Sequence, residues 1–320
     1  MLDSTSQNII SELFRDGRYS NAVIAQKLGI SAITAAKKIE TMVREEIISF
    51  KAIPNPLIMG NHASAFIGLN VEVKKLAQIY DKLKQIHNIN IMGVTFGRFD
   101  IILIVYFPTW GKLEDFTKNG LPEIDGIRSV YTFLISEVVM GYKANFDTDL
   151  ENHKPDLDQI DVSLISELIK NGRPQYSELA HKLDTSISTI SRRITSLIDH
   201  NILHIVAIPN HSLEYLANAF ILLNVDFSKI DEICEKISGY SGTHLVIKLM
   251  NDNRYDVLLT VNSAGRDGLF NFITEKVGSI KGVLNSETFV LTNFFYFNVN
   301  ALFSKSIYEV YNIADSEPNS

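Results

Sequence analysis

The chain has 320 residues, enough for two or more domains, and 46% hydrophobic with 21% charged content reads as an ordinary soluble globular protein. Its net charge of −7 excludes a surface coated in basic residues, so nucleic-acid binding would have to concentrate a few cations locally. One cysteine, Cys234, excludes an intramolecular disulfide framework and suits a reducing cytoplasm; the apolar run Ile101 to Phe107 is far short of a membrane span.

Taken in order, Thr5 to Arg15 has the apolar spacing of an amphipathic helix, and Asp16-Gly17 reads as its stop. A short helix follows from Asn21, a candidate cap, to Leu28. Gly29-Ile30 makes a tight turn, and Ser31 caps a third helix, SAITAAKKIETMV. Helix, glycine turn and helix at this spacing predict a helix-turn-helix, and alternation from Ile47 to Ile53 predicts a strand serving as a wing. Beyond Pro54 and Pro56 the period changes to two. Strands are predicted at Ala63 to Val71, Ile89 to Phe96, Asp100 to Phe107 and Ile127 to Val138. Helices at Lys74 to Ile86 and Trp110 to Asn119 complete a ferredoxin-like βαββαβ order.

The chain then repeats itself. At an offset of 155, Asp16-Gly17-Arg18 returns as Asn171-Gly172-Arg173, Lys37-Lys38-Ile39 as Arg192-Arg193-Ile194, and Ala52-Ile53-Pro54-Asn55 as Ala207-Ile208-Pro209-Asn210. The fold class is therefore α+β, with two copies of a winged helix-turn-helix followed by βαββαβ. The boundaries read as 1–53 and 63–147 for the first copy, a polar linker at 148–155, 156–208 and 217–302 for the second, and an extension at 303–320 with a disordered end. In the second copy the elements fall at Ala217 to Val225, Ser228 to Ser238, Thr243 to Met250, Tyr255 to Val261, Gly265 to Val277 and Val283 to Leu291.

Rotated at 100° per residue, SISTISRRITSLI puts Ile187, Ile190, Ile194, Leu197 and Ile198 on a core stripe. Ser188, Thr189, Arg192 and Ser196 fall on the opposite side, a face of hydroxyls and a forked cation without a carboxylate. That chemistry suits the edges and phosphates of a DNA major groove.

This order of motifs, kept twice, resembles the Lrp/AsnC (feast/famine) family of transcriptional regulators. Asp158, Asp161, Asn171-Gly172-Arg173, Leu179-Ala180 to Leu183, Ser186, Arg193-Ile194 and Leu197 carry the resemblance in the second copy. Asp16-Gly17-Arg18, Ile24-Ala25 to Leu28, Gly29-Ile30-Ser31 and Lys38-Ile39 carry it in the first. The resemblance implies double-stranded DNA as partner and a βαββαβ (RAM/AsnC-type) domain that pairs with a second copy and senses an amino acid or similar metabolite. It implies no membrane partner, a cytoplasmic location and further homo-oligomers. The duplication adds a covalent pseudo-dimer within one chain. Where the family places glycine, this chain has Glu46, Asn201 and Asp184, and the family's recognition-helix arginine is Lys38 in the first copy.

The DNA-binding residues expected on this basis are Ser31, Thr34, Lys37, Lys38 and Thr41 in the first head, and Ser186, Ser188, Thr189, Arg192, Arg193 and Ser196 in the second. Arg192 is the candidate for a guanine edge; Arg193, on the flank, suits a phosphate or an internal partner. Glu40 and an outward Ile33 make the first head the weaker reader. An effector site is expected at the hairpin Thr95, Gly97, Arg98 and Asp100, with Arg254 and Asp256 as second-copy counterparts. No cofactor, metal or catalytic constellation is expected: His200 and His204 straddle a helix end and a wing, and Cys234 reads as core. The alternatives are an enzyme like the sirohaem decarboxylases, which look like the same two-domain unit, and an architectural DNA-coating protein. The strands Val94 to Phe107 and Val246 to Val261 lack the histidine such an enzyme uses, and near-neutral heads argue against coating.

Overall fold

The computed structural model describes residues 3–140, 155–209, 216–250 and 254–298. Residues 148–154 of the 148–155 linker and the extension 303–320 lie outside the described residues. The first head consists of α1 (Ser4–Arg15), α2 (Asn21–Leu28) and α3 (Ala32–Arg44). Asp3 caps α1 and Ser20 caps α2; Asn21, expected to be that cap, is instead the first helical residue. Gly29 takes the left-handed conformation (φ 65°) that turns the chain into α3, and Ser31 caps that helix through the amide of Thr34. The second head repeats the plan with α6 (Gln159–Lys170), α7 (Tyr176–Lys182) and α8 (Ile187–Asp199). An Asp158/Asp161 capping box opens α6.

The strand after each head, β1 (Ile48–Pro54) and β6 (Leu203–Pro209), pairs with the other copy's strand, antiparallel, from Ile48 opposite Pro209 to Pro54 opposite Leu203. Each expected wing is thus one half of a ribbon shared between heads. One apolar core runs through both, taking in Ile9, Leu13 and Met42 from the first and Leu164, Ile194 and Leu197 from the second.

The glycine of each Asp/Asn-Gly-Arg motif belongs to this junction. α1 stops at Arg15, with Asp16 as its C-cap, where the sequence suggests, but Gly17 has no left-handed backbone, so the stop is not of the usual glycine kind. Its amide donates to the carbonyl of Ile205 at 2.7 Å, and a Cβ would lie 2.9 Å from that residue's backbone. Gly172 mirrors it: its amide donates to Phe50 at 2.8 Å, and a Cβ would meet the Lys51 backbone at 2.8 Å. Close approach of two backbones, rather than positive φ, requires glycine here.

The first βαββαβ unit comprises β2 (Ala63–Val71), α4 (Leu76–Lys84), β3 (Ile89–Phe96), β4 (Ile101–Phe107), α5 (Trp110–Asp115, continued as a π-turn over Phe116–Gly120) and β5 (Ile127–Met140). The second comprises β7 (Leu216–Val225), α9 (Ile230–Ser238), β8 (Thr243–Leu249), β9 (Val257–Ala264), α10 (Gly265–Asn271) and β10 (Val283–Phe297). Each gives a sheet of the ferredoxin-like order, β3-β4-β2-β5 and β8-β9-β7-β10. Two further pairings, β5 with β8 and β10 with β3, close the eight strands into one barrel. β10 extends to Phe297, beyond the expected Leu291, because its last residues pair with β3 of the other copy. Aromatic residues Phe66, Phe99, Phe133, Phe220 and Phe289 fill the space between the sheets, and α4 and α9 cover their outer faces. Among the described residues no helix is long and apolar enough to cross a membrane.

Candidate nucleic-acid interface

On α8, Ile190, Ile194, Leu197 and Ile198 are buried, while Ser188, Arg192 and Ser196 are exposed and Thr189 is half-buried. Ile187 corrects the expected stripe: it is 54% exposed, being the first residue of the helix and a turn ahead of the core. On α3 the buried residues are Ala35, Ile39 and Met42, leaving Ile33 and Lys37 exposed and Thr34 and Thr41 half-buried. Ser31 and Ser186 serve as helix caps, each within 3 Å of a neighbouring hydroxyl (Thr34 at 2.8 Å, Ser188 at 2.8 Å and Thr189 at 2.9 Å).

Two expected DNA contacts face inward. Arg193 lies 2.8 Å from Asp158 and 2.9 Å from Asp161, the two carboxylates that open α6. Lys38 donates to Asp3 at 2.6 Å and to Ser6 at 3.2 Å, at the start of α1. The hydrogen bond from Lys38 holds the Asp3 carboxyl down at about 2. Both cations therefore pin a recognition helix to the first helix of its own head, the internal role that the flank position of Arg193 suggested, and they are withdrawn from the reading surface.

A third tie crosses between copies. Arg173 donates through Nε to the carbonyl of Gly17 at 2.7 Å and stacks over Phe50 with 3.8 Å from its guanidinium carbon to the ring centre. Arg15 reaches the other way, to the carbonyls of Ser238 (3.4 Å), Tyr240 and Thr243 (3.5 Å) at the C-terminal end of α9, where a cation is favoured. Beside it, Phe14 meets the ring of His244 edge-on at 4.8 Å. Sequence reasoning missed this strut. Its only signal was asymmetry: Lys170 stands where the duplication places Arg15, and it pairs with Glu167 at 3.1 Å.

The expected effector residues form two groups. Asp100 accepts from the amide of Val71 at 2.8 Å, and Asp256 from the amide of Val225 at 2.9 Å and from Asn224 at 3.2 Å. Both aspartates fasten their hairpins to the ends of β2 and β7 through Oδ2. Thr95 is buried and donates to the carbonyl of Phe99 at 2.7 Å. Gly97 sits against Phe289, 3.2 Å from where a Cβ would be. Arg98 lies over the rings of Tyr131 (4.8 Å) and Phe99 (5.2 Å), with Glu287 3.9 Å away. Glu287 also accepts from the hydroxyl of Tyr255, whose acidity is lowered by burial and by that bond. Tyr131 and Glu287 were not expected. They correspond at an offset of 156, and only the facing of the two sheets brings both to Arg98. Arg254 is exposed.

Other candidates resolve as structural. Cys234 is buried, which pushes its thiol up to about 12. His204 lies 2.8 Å from the carbonyl of Arg15, and His200 the same distance from that of Ser196. Among the described residues no cluster of metal-ligating side chains occurs.

A winged helix-turn-helix DNA-binding model matches residues 2–49 and 157–203, and the Lrp/AsnC ligand binding domain model matches residues 64–144. An uncharacterized HTH-type transcriptional regulator of Pyrococcus furiosus is 32% identical over 139 residues, 43% of this chain and 94% of the relative. The HTH-type transcriptional regulator LrpA of Pyrococcus horikoshii is 27% identical over 138 residues, 43% of this chain and 98% of the relative. These relatives are each about as long as one copy. Over its full length the chain is similar in fold to the siroheme decarboxylase NirDL, with a TM-score of 0.59, 16% identity and 96% of both chains covered.

Proposed function

Because this chain belongs to the Lrp/AsnC family of transcriptional regulators, we propose that it is a sequence-specific regulator carrying both readers of one DNA site in a single polypeptide. The observation that carries this reading is the exposed face of α8, where Ser188, Arg192 and Ser196 project with no carboxylate between Ser186 and Ile198. Arg192 is the base-reading group, able to take guanine O6 and N7 together, with hydroxyls on either side for phosphates. Thr34, Lys37 and Thr41 form the corresponding face of the first head.

Within the expected effector site, Arg98 is the group we assign to a ligand carboxylate. Its partner Glu287 stands beyond hydrogen-bonding distance at 3.9 Å, so the carboxylate of an amino acid can compete for the guanidinium. Thermal-shift titration with amino acids, repeated on Arg98→Ala, tests this: stabilisation that the variant loses supports it, and stabilisation that survives in the variant removes Arg98.

The DNA reading is tested by sequencing the genomic fragments that purified protein retains at two salt concentrations. A shared motif supports a specific regulator, and Arg192→Ala should then cost about 1–3 kcal/mol of binding. Retention without a motif, falling steeply with salt, supports architectural coating instead.

The full-length likeness to siroheme decarboxylase NirDL favours a second reading, an enzyme acting on a tetrapyrrole. Against it, His244, the one histidine in β8, packs on Phe14 and is 3% exposed. A visible absorbance band on soaking with a tetrapyrrole would favour the enzyme.

A further inference from the structure

The two reading faces differ in kind. At the position of Ser188 the first head carries Ile33, 81% exposed on the second residue of α3. Lys37 stands for Arg192 and Glu40 for Thr195, all four exposed. The second head has a leading isoleucine too, Ile187, 54% exposed, but it lies one position earlier on the core stripe of its helix, whereas Ile33 stands on the outward face and has no packing role in its own head. In a major groove its natural partner is the C5 methyl of thymine, which guanine and cytosine lack. The fork of Arg192 has its best partner in guanine.

The heads are also held in fixed relation. One core and one ribbon run through both, the Gly17 and Gly172 approaches lock the backbones, and Arg173 bonds across. Arg15 further ties the first head alone to α9. A head cannot turn to suit the other's half-site. Rotating the DNA by half a turn would set Ile33 against guanine acceptors and Arg192 against a methyl, leaving polar edges without partners.

We propose that the DNA site is directional: the chain binds in one orientation, with Ile33 of the first head on a thymine-containing half-site and Arg192 of the second head on a guanine-containing one. This rests on the regulator reading above.

The test uses the full chain on a fragment recovered from the selection experiment. Glu45→Cys adds an exposed thiol at the end of α3, where an iron chelate can be attached, while Cys234 is buried and resists labelling. Hydroxyl-radical cleavage at one end of the footprint is expected. Replacing thymine by uracil under that end should weaken binding about fourfold, the effect of one methyl-sized apolar contact, and Ile33→Ser should abolish the difference. Equal cleavage at both ends, or indifference to uracil in the unaltered protein, overturns the directional site while leaving the regulator reading intact. Failure to retain any motif-bearing fragment overturns the regulator reading itself, and the directional site with it.

Discussion

His244 offers the sharpest test of how the first head is joined to the second sheet. It lies in β8, 3% exposed, and neither ring nitrogen has a hydrogen-bond partner among the described residues. Burial, with the nearby charge of Arg15, pushes its pKa from 6.5 down to about 3. Above pH 6.5 the ring is neutral in both folded and unfolded chains and pH has no effect through it. Below pH 6.5 the unfolded chain binds a proton that the native state refuses, so stability falls with falling pH until about pH 3. The slope is about 1.4 kcal/mol per pH unit, which amounts to ~2 kcal/mol lost by pH 5. His244→Leu keeps a similar volume against Phe14 and removes the titration. Urea unfolding of both proteins at pH 7.5 and pH 5 isolates the effect, because every other titrating group is common to the two. The stability of the unaltered protein relative to the variant should drop by ~2 kcal/mol between these conditions. Parallel pH dependences would refute a neutral buried imidazole at this junction.

Three further outcomes follow from the geometry. Gly172→Ala forces a methyl to within 2.8 Å of the Lys51 backbone and should destabilise by about 1–3 kcal/mol, read as a lower midpoint in thermal unfolding. Asp184 holds φ 47° where its counterpart Gly29 holds 65°; Asp184→Gly should stabilise by about 0.5–1 kcal/mol and Gly29→Asp should destabilise by a similar amount in denaturant titrations. Arg193→Ala breaks the ties to Asp158 and Asp161 and should cost about 1–2 kcal/mol of folding stability, while DNA affinity measured well below the melting temperature stays within twofold. A large affinity loss in that variant would return Arg193 to the reading surface.

Where period and local chemistry decide, the sequence is legible. β2 spans Ala63–Val71 and β3 spans Ile89–Phe96 as alternation predicts, and Gly29 and Ser31 do what turn and cap chemistry require. Ser20 and Asn21 are both good caps, and only the backbone distinguishes them. The outward face of α8 is visible on a helical wheel, but the inward turn of Arg193 depends on where Asp158 and Asp161 lie, 32 to 35 residues away. The motif glycines are visible as a repeat; their reason is a backbone in the other copy. Contacts such as Phe14 with His244 join positions 230 residues apart, and no local pattern encodes them. The hairpin aspartates are a related case: that Asp100 and Asp256 bond the amides of Val71 and Val225 depends on strands about 30 residues away.

The closed barrel has a consequence for mass action. Each copy supplies four of eight strands, and β5 with β8 and β10 with β3 seal the union. A reader assembled from two separate chains loses its partner on dilution, and occupancy of its target then falls with the square of chain concentration. Here the two halves travel on one polypeptide, so their effective concentration for each other is set by the chain and not by expression level. Occupancy should scale with the first power of protein concentration even at a few copies per cell.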